Sequence, residues 1–109
     1  MKLLFVCSRN QKRSLTAEHC FRGDPRFTVR SAGTAPSARH RVSPSDLRWA
    51  DTILVMEKHH AELLRERFPD ELGGKRLIVL RIPDDYEFGD PDLETMFRSR
   101  VEEEFGMAS

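Results

Sequence analysis

The stretch LLFVCSRNQKRSLTAEHC (residues 3–20) decides the fold that we predict for this chain. Its apolar run, Leu3 to Val6, is short and bounded, which is typical of a β-strand buried on both faces. Cys7 follows this run, and then comes a polar loop that carries several cations. Helix-forming residues resume at Leu15. The stretch therefore predicts a strand, a loop and a helix, with a thiol where the strand ends.

Strand and helix patterns alternate along the rest of the chain. Further strands are predicted at Phe27 to Ser31, Thr52 to Met56 and Leu77 to Leu80. Further helices are predicted from the N-cap Ser43 onward, at Glu57 to Phe68 and at Asp92 to Phe105. This alternation predicts an α/β fold in three layers, with a four-stranded parallel sheet and helices on both faces. Ligands of such sheets bind beyond the carboxyl ends of the strands, where Cys7 lies.

The composition is that of an ordinary globular protein. The 109 residues are 39% hydrophobic and 33% charged, and we expect residues 1–109 to form a single domain. The formal net charge of zero argues against a nucleic-acid or membrane-surface role. No apolar stretch is long enough to span a bilayer, so we expect a cytoplasmic protein. Cys7 and Cys20 are too few for a cysteine zinc site, and neither a metal nor a cofactor is expected.

The loop after Cys7 has the features of an anion site. A loop between a strand and a helix N-terminus turns its amides inward, and the helix adds positive potential. Arg13 supplies a planar fork that can hold two phosphate oxygens. Helix N-termini and neighbouring cations favour the thiolate form of a cysteine. A cysteine at a strand end is most often only a small buried hydrophobe, but this context favours a nucleophile that attacks a phosphoryl group.

These residues resemble the low-molecular-weight protein tyrosine phosphatases. The signature of that family is a cysteine, five residues, an arginine and a serine directly after the first strand, which Cys7, Arg13 and Ser14 match. Asn10 matches the family asparagine that suits a left-handed backbone position. Further segments that resemble the family, in the same order, are LTAE (15–18), SAGT (31–34), DTILVME (51–57) and IPDDYEFGDPDLET (82–95).

The resemblance implies a cysteine-dependent phosphatase that acts on phosphomonoesters, including phosphotyrosine, through a phosphocysteine released by water. It implies that Ser14 donates a hydrogen bond to the sulfur. The loop would also bind free phosphate or sulfate. The predicted phosphate-binding residues are Ser8, Arg9, Asn10, Gln11, Lys12, Arg13 and Ser14.

A general acid is needed to protonate the leaving group, and three aspartates of one loop are candidates. In the family, the acid lies in an Asp-Pro pair shortly before an aromatic residue. Matching Tyr86 to that aromatic favours Asp84 as the acid. The alternatives are Asp85 and Asp90, of which Asp90 precedes a proline. Asp90 could instead only cap the last helix.

Two histidine-containing segments remain outside this chemistry. The cluster Arg39-His40-Arg41 has the composition of a solvated loop, although it could approach the phosphate loop (residues 8–14) and stabilise Asn10. His59 and His60 are expected on a surface helix, and they lack metal-ligand spacing.

Two other functions are compatible with a cysteine after the first strand. One is a phosphocarrier that keeps the phosphoryl group on Cys7, which would need no acid loop and no Arg-Ser pair. The other is a module that binds a phosphorylated ligand without turnover. The Arg13-Ser14 pair and the acidic loop favour the enzyme.

Overall fold

The computed structural model describes residues 1–106, which form alternating strands and helices. In chain order these are β1 (Lys2–Cys7), α1 (Arg13–Phe21), β2 (Thr28–Gly33), α2 (Pro44–Trp49), β3 (Thr52–Val55), α3 (Lys58–Arg67), α4 (Pro69–Leu72), β4 (Arg76–Val79) and α5 (Pro91–Phe105). The four strands form one parallel sheet in the order β2-β1-β3-β4. The predicted fold class is confirmed. None of the described helices is long and apolar enough to cross a membrane.

The sheet is buried on both faces because β1 alternates between two apolar clusters. Leu3 and Phe5 face one cluster, to which α1 and α5 contribute; Leu4 and Val6 face the other, beneath α2 and α3. Burying a side chain such as Phe5 is worth roughly 1.5–3 kcal/mol. A continuous apolar run in β1 is therefore what a strand between two helical layers requires.

The element boundaries differ from the predicted ones in ways that have physical causes. The helix predicted to end at Phe68 gives way to a separate short helix, α4, because Pro69 cannot donate a helical hydrogen bond and starts a new first turn. The strand β2 continues past Ser31 to Gly33 because it pairs with β1 up to Cys7. α1 begins two residues before Leu15.

The strand order places the end of β1 at a switch point of the sheet. The chain leaves β1 towards β2 on one side and later returns to β3 on the other. Loops that diverge in this way leave a crevice at the carboxyl ends of the two central strands. Cys7 and Glu57 lie at this crevice, at the end of β1 and just after β3, respectively.

Candidate active site

The sulfur of Cys7 makes two hydrogen bonds within its own loop. The backbone N–H of Asn10 lies 3.2 Å from Sγ, and the Ser14 hydroxyl lies 3.0 Å from it. Both contacts are buried. Because a thiolate can only accept, Ser14 is the donor whenever Cys7 is ionised. This arrangement suits a negatively charged sulfur.

Asn10 is a buried residue that holds the conformation of the loop through its hydrogen bonds. Its φ of 57° is in the left-handed region, which asparagine tolerates better than most residues. Its side-chain N–H donates to the Ser14 hydroxyl at 2.8 Å. Arg39 donates to the Asn10 side-chain oxygen at 2.9 Å and to its backbone oxygen at 3.3 Å. Of the two interpretations of the Arg39 cluster, the structure therefore has the one in which it stabilises Asn10.

The N-terminus of α1 faces the loop without a side-chain cap. Lys12 is the N-cap residue, and within residues 1–106 its side chain makes no capping hydrogen bond to the first turn. The first amide groups of a helix lack intrahelical partners and carry positive potential. They are consequently available to an anion above Cys7.

Arg13 is buried between two acidic groups. One terminal nitrogen donates to a Glu57 carboxylate oxygen at 2.6 Å and to the carbonyl of Ile82 at 2.8 Å. Its Nε lies 3.6 Å from a carboxylate oxygen of Asp84. The hydrogen bond from Arg13 holds the pKa of Glu57 below its ordinary value. Glu57 therefore holds the guanidinium in its orientation at the crevice.

A cavity of about 350 Å³ opens above the sulfur. Its lining residues are Cys7, Ser8, Arg9, Gln11, Lys12, Arg13 and Asp84. The structure thus brings together at one cavity the predicted nucleophile, the predicted arginine and one of the three candidate acids. Two residues of the predicted phosphate-binding set, Asn10 and Ser14, are buried and lie outside this lining.

The three aspartates occupy different environments. Asp84 lines the cavity, whereas Asp85 is exposed and does not. Asp90 caps α5, accepting a hydrogen bond from the Asp92 amide at 2.8 Å. That position is the one expected if Asp90 serves only as a helix cap.

Two contacts hold the loop that carries Asp84 against α1. Lys12, which lines the cavity, forms an ion pair of 2.8 Å with Glu87. The amide of Gly89 donates to the Thr16 hydroxyl at 3.0 Å. The loop that carries Asp84 is therefore attached to α1 at two points, Glu87 and Gly89.

His60 was expected on a surface helix, and this prediction is wrong: the side chain is fully buried. Its Nδ1 accepts from the Glu57 amide at 3.1 Å, which caps the N-terminus of α3. Its Nε2 lies 2.9 Å from the Ser8 hydroxyl. The spacing of Glu57 and His60 is that of a capping box, a signal that could have identified the contact with Glu57 but not the one with Ser8.

Among residues 1–106, one group of potential metal ligands lies near the site. Ligand atoms of Glu57, His59 and His60 lie within 4.8 Å of one another. However, both ring nitrogens of His60 already hydrogen-bond to protein, and Glu57 holds Arg13. These residues do not offer three free ligand atoms to an ion.

Comparisons with known proteins place the fold. No protein-family model and no curated protein sequence matches the chain. Solved structures do match over nearly its whole length. The low-molecular-weight protein tyrosine phosphatase SP-PTP from Streptococcus pyogenes superposes with a TM-score of 0.78 at 16% identity, covering 99% of this chain and 93% of that one.

Two further structures have the same fold. The tyrosine phosphatase Wzb from Escherichia coli K30, in complex with phosphate, has a TM-score of 0.74 at 19% identity and covers 99% of this chain and 98% of its own. The YwlE arginine phosphatase from Geobacillus stearothermophilus has a TM-score of 0.71 at 22% identity, with coverages of 96% and 92%. The fold is thus that of the low-molecular-weight protein tyrosine phosphatases, as the sequence resemblance implied.

Proposed function

We propose that this chain is a cysteine-dependent phosphatase that hydrolyses phosphomonoesters, phosphotyrosine among them, through a phosphocysteine intermediate. The observation that carries the proposal is the position of the Cys7 sulfur below a cavity, at the uncapped N-terminus of α1 and beside the buried guanidinium of Arg13. A dianionic phosphoryl group fits the positive potential of this cavity.

In the proposed first step, the thiolate of Cys7 forms a bond to phosphorus while the ester P–O bond breaks. The loop amides and Arg13 stabilise the negative charge on the equatorial oxygens. Asp84, as a neutral acid, gives its proton to the departing oxygen. The products of this step are an alcohol or phenol and phosphocysteine.

In the second step, water attacks phosphorus and the P–S bond breaks. Asp84, now a carboxylate, accepts a proton from the water. Ser14 donates to the departing sulfur, which makes the thiolate a better leaving group. Inorganic phosphate and the free thiolate are regenerated.

The test uses 4-nitrophenyl phosphate, with nitrophenol and inorganic phosphate measured in parallel. A phosphatase releases both in equal amounts over many turnovers. A phosphocarrier releases one equivalent of nitrophenol and retains the phosphoryl group on Cys7, and a binding module releases neither. Either of the last two results would overturn the proposal.

Cys7→Ser provides the matched variant for this test. We expect it to abolish turnover while phosphate still binds, because a hydroxyl is not ionised at neutral pH. Iodoacetate should alkylate Cys7 faster than Cys20, since burial raises the pKa of the Cys20 thiol. Phosphate should protect Cys7 alone. Equal alkylation of the two thiols would contradict the role of Cys7.

The substrate class is tested separately. The structures with this fold include phosphatases described as acting on tyrosine and on arginine. We favour phosphotyrosine as the substrate. To test this, kcat/KM is compared for two peptides of the same sequence, one with phosphotyrosine and one with phosphoarginine. A higher value for phosphoarginine would replace the proposed ester substrate by a phosphoramidate.

A further inference from the structure

His60 is a buried histidine whose protonation pattern can be deduced from its partners. The backbone amide of Glu57 can only donate a hydrogen bond, so Nδ1 of His60 must be the unprotonated, accepting nitrogen. Burial lowers the pKa of His60 to about 4, so the ring is neutral at pH 7. A neutral ring with a bare Nδ1 carries its proton on Nε2.

This tautomer fixes the direction of the hydrogen bond between His60 and Ser8. Because Nε2 of His60 is protonated, it donates to the Ser8 hydroxyl oxygen across 2.9 Å. The hydroxyl proton of Ser8 is then free to donate elsewhere, and among residues 1–106 no protein acceptor hydrogen-bonds to it. Ser8 lines the cavity directly after Cys7. An unused donor thus lies beside the proposed phosphate site.

We propose that the Ser8 hydroxyl donates a hydrogen bond to an oxygen of the bound phosphoryl group, and that His60 is the positioning residue that orients this hydroxyl. Donation from Nε2 also polarises the Ser8 O–H, which strengthens its own donation. The inference deepens the proposed function, since it assigns a further donor to the same site. It requires only that an oxyanion binds above Cys7.

Two substitutions of His60 separate its two hydrogen bonds. In His60→Asn, the short amide can still accept from the Glu57 amide and keep the cap of α3, but it cannot reach Ser8. In His60→Gln, the longer amide places an N–H near the position of Nε2 and can still donate to Ser8. His60→Gln, however, loses the hydrogen bond that caps α3. If His60 had only a structural role, His60→Gln would therefore lower activity more than His60→Asn.

We expect Ser8→Ala and His60→Asn each to lower kcat/KM for 4-nitrophenyl phosphate by about 10-fold or more, the usual effect of one lost hydrogen bond to a charged group. His60→Gln and Ser8→Thr should recover most of the activity. The double variant Ser8→Ala/His60→Asn should be no worse than Ser8→Ala alone, because both remove the same donor. Ser37→Ala, on an exposed loop serine, is the control.

A direct measurement of phosphate affinity by calorimetry, made in the Cys7→Ser background, keeps the inference independent of turnover. Ser8→Ala should weaken phosphate binding by about 10-fold. Unchanged affinity, or losses that add fully in the double variant, would overturn the role of Ser8 and His60. If the parent binds phosphate through Ser8 but releases no nitrophenol, the proposed function fails and the binding role stands.

A groove of about 530 Å³ lies between α3 and the segment after β4. Its floor is apolar and includes Ala61, Val79 and Ile82. Its rim carries Lys58, Arg65 and Arg81, and within residues 1–106 none of these three cations has a carboxylate at ion-pair distance. The lining also includes the carboxylate of Glu57, but this group is paired with Arg13, so the charge of the groove is mainly positive.

One wall separates this groove from the cavity above Cys7. Glu57 and Ile82 both line the groove, and both hydrogen-bond to the same nitrogen of Arg13. Pro83 lines the groove, and the next residue, Asp84, lines the cavity. An extended peptide advances about 3.3 Å per residue, so a substrate held at Cys7 can reach the groove within a few residues.

We infer that this groove binds an acidic side chain that flanks the phosphorylated residue of a polypeptide substrate. The carboxylate would meet the three rim cations, and the methylenes of a glutamate would lie on the apolar floor. The inference rests on the proposed function for the phosphorylated residue, but the binding of an acidic peptide can be measured without turnover.

The test compares two phosphotyrosine peptides that differ only in flanking glutamate or glutamine. We expect the acidic peptide to have a kcat/KM about 10-fold higher at low salt, mainly through KM, with the difference shrinking as ionic strength rises. The variant Lys58→Gln/Arg65→Gln/Arg81→Asn should lose this preference while hydrolysing 4-nitrophenyl phosphate at the parent rate. Asparagine is chosen because Arg81 has a φ of 59°.

Arg22→Gln, which removes a charge at the far end of α1, is the control and should retain the preference. Equal kcat/KM for the two peptides would overturn the inference. Fluorescence anisotropy with an unphosphorylated acidic peptide tests the groove separately from the proposed phosphatase activity. Binding that disappears in the triple variant supports the groove even if no peptide is hydrolysed, and binding unchanged by the triple variant refutes it.

Discussion

Gly33 lies against Ser8 so closely that a Cβ on Gly33 would sit 2.5 Å from the Ser8 carbonyl oxygen and 2.6 Å from the Cβ of Ala38. The end of β2 is thus packed directly under the phosphate loop. That carbonyl is also held by the amide of Ala35 at 2.9 Å, so it cannot move away freely. A side chain at residue 33 would displace the phosphate loop from its position against β2.

We therefore predict that Gly33→Ala lowers the free energy of unfolding by roughly 3 kcal/mol, the upper end of the cost of overpacking. Phosphate affinity should fall with it, because the displaced backbone carries the binding amides. Urea denaturation and phosphate titration measure the two effects. Gly23→Ala is the matched control, since no atom in the described part of the chain lies within 4 Å of its added Cβ. A Gly33→Ala protein as stable as Gly23→Ala would contradict the close packing.

Arg13→Lys tests the guanidinium fork while keeping the charge. A lysine cannot donate to Glu57, to Ile82 and to two phosphate oxygens in one plane, so we expect kcat to fall by about 10²-fold or more. Phosphate affinity should change much less, because the positive charge remains. Steady-state kinetics and calorimetry provide the comparison. An unchanged kcat would show that Arg13 serves only to hold the start of α1.

Asp84→Asn tests the proposed acid through the leaving group. Phenyl phosphate releases a basic phenolate that needs a proton, whereas 4-nitrophenyl phosphate releases a stable anion. We expect Asp84→Asn to slow phenyl phosphate hydrolysis about 10²–10⁴-fold and to slow the nitrophenyl ester much less. The ratio of the two rates is the quantity to measure.

The other two aspartates of the loop are the controls for that ratio. Asp85→Asn should leave both rates unchanged, since Asp85 is exposed outside the cavity lining. Asp90→Asn should lower stability through the α5 cap and affect both esters equally. A leaving-group-dependent loss in Asp90→Asn would transfer the acid role to the Asp90-Pro91 pair.

Acid should destabilise the protein through His60. Its pKa is about 4 when folded against an ordinary 6.5, so the unfolded chain binds the proton first as pH falls. The free energy of unfolding should therefore decrease between about pH 6.5 and pH 4, by about 3 kcal/mol in total. The lowered pKa of Glu57 acts in the same direction at lower pH, because its ionised form is the one that holds Arg13.

Urea denaturation at several pH values measures this dependence, and His60→Asn is the comparison variant. Without a titrating ring, His60→Asn should show a much flatter profile between pH 6.5 and pH 4. A parent profile as flat as that of the variant would mean that the buried ring accepts a proton without cost.

The alternation of apolar runs with helical patterns was sufficient to predict the parallel sheet and the position of Cys7. Burial on both faces of β1 demands a continuous apolar segment, and such a segment is visible in the chain itself. The spacing of Cys7 and Arg13 is likewise local, because both belong to one strand-loop-helix unit. The N-cap Ser43 of α2 is also local, and the structure contains it as predicted.

Contacts between segments distant in the chain had to come from the tertiary structure. His60 meets Ser8 across 52 residues, and Arg13 meets Ile82 across 69, so neither partner is marked by spacing or periodicity. Asp84 was one of three aspartates that the residue pattern left open, and only the folded loop places one of them at the cavity. Local patterns depend on backbone geometry repeated every few residues, whereas the partners of a buried polar group depend on which segments the sheet order brings together.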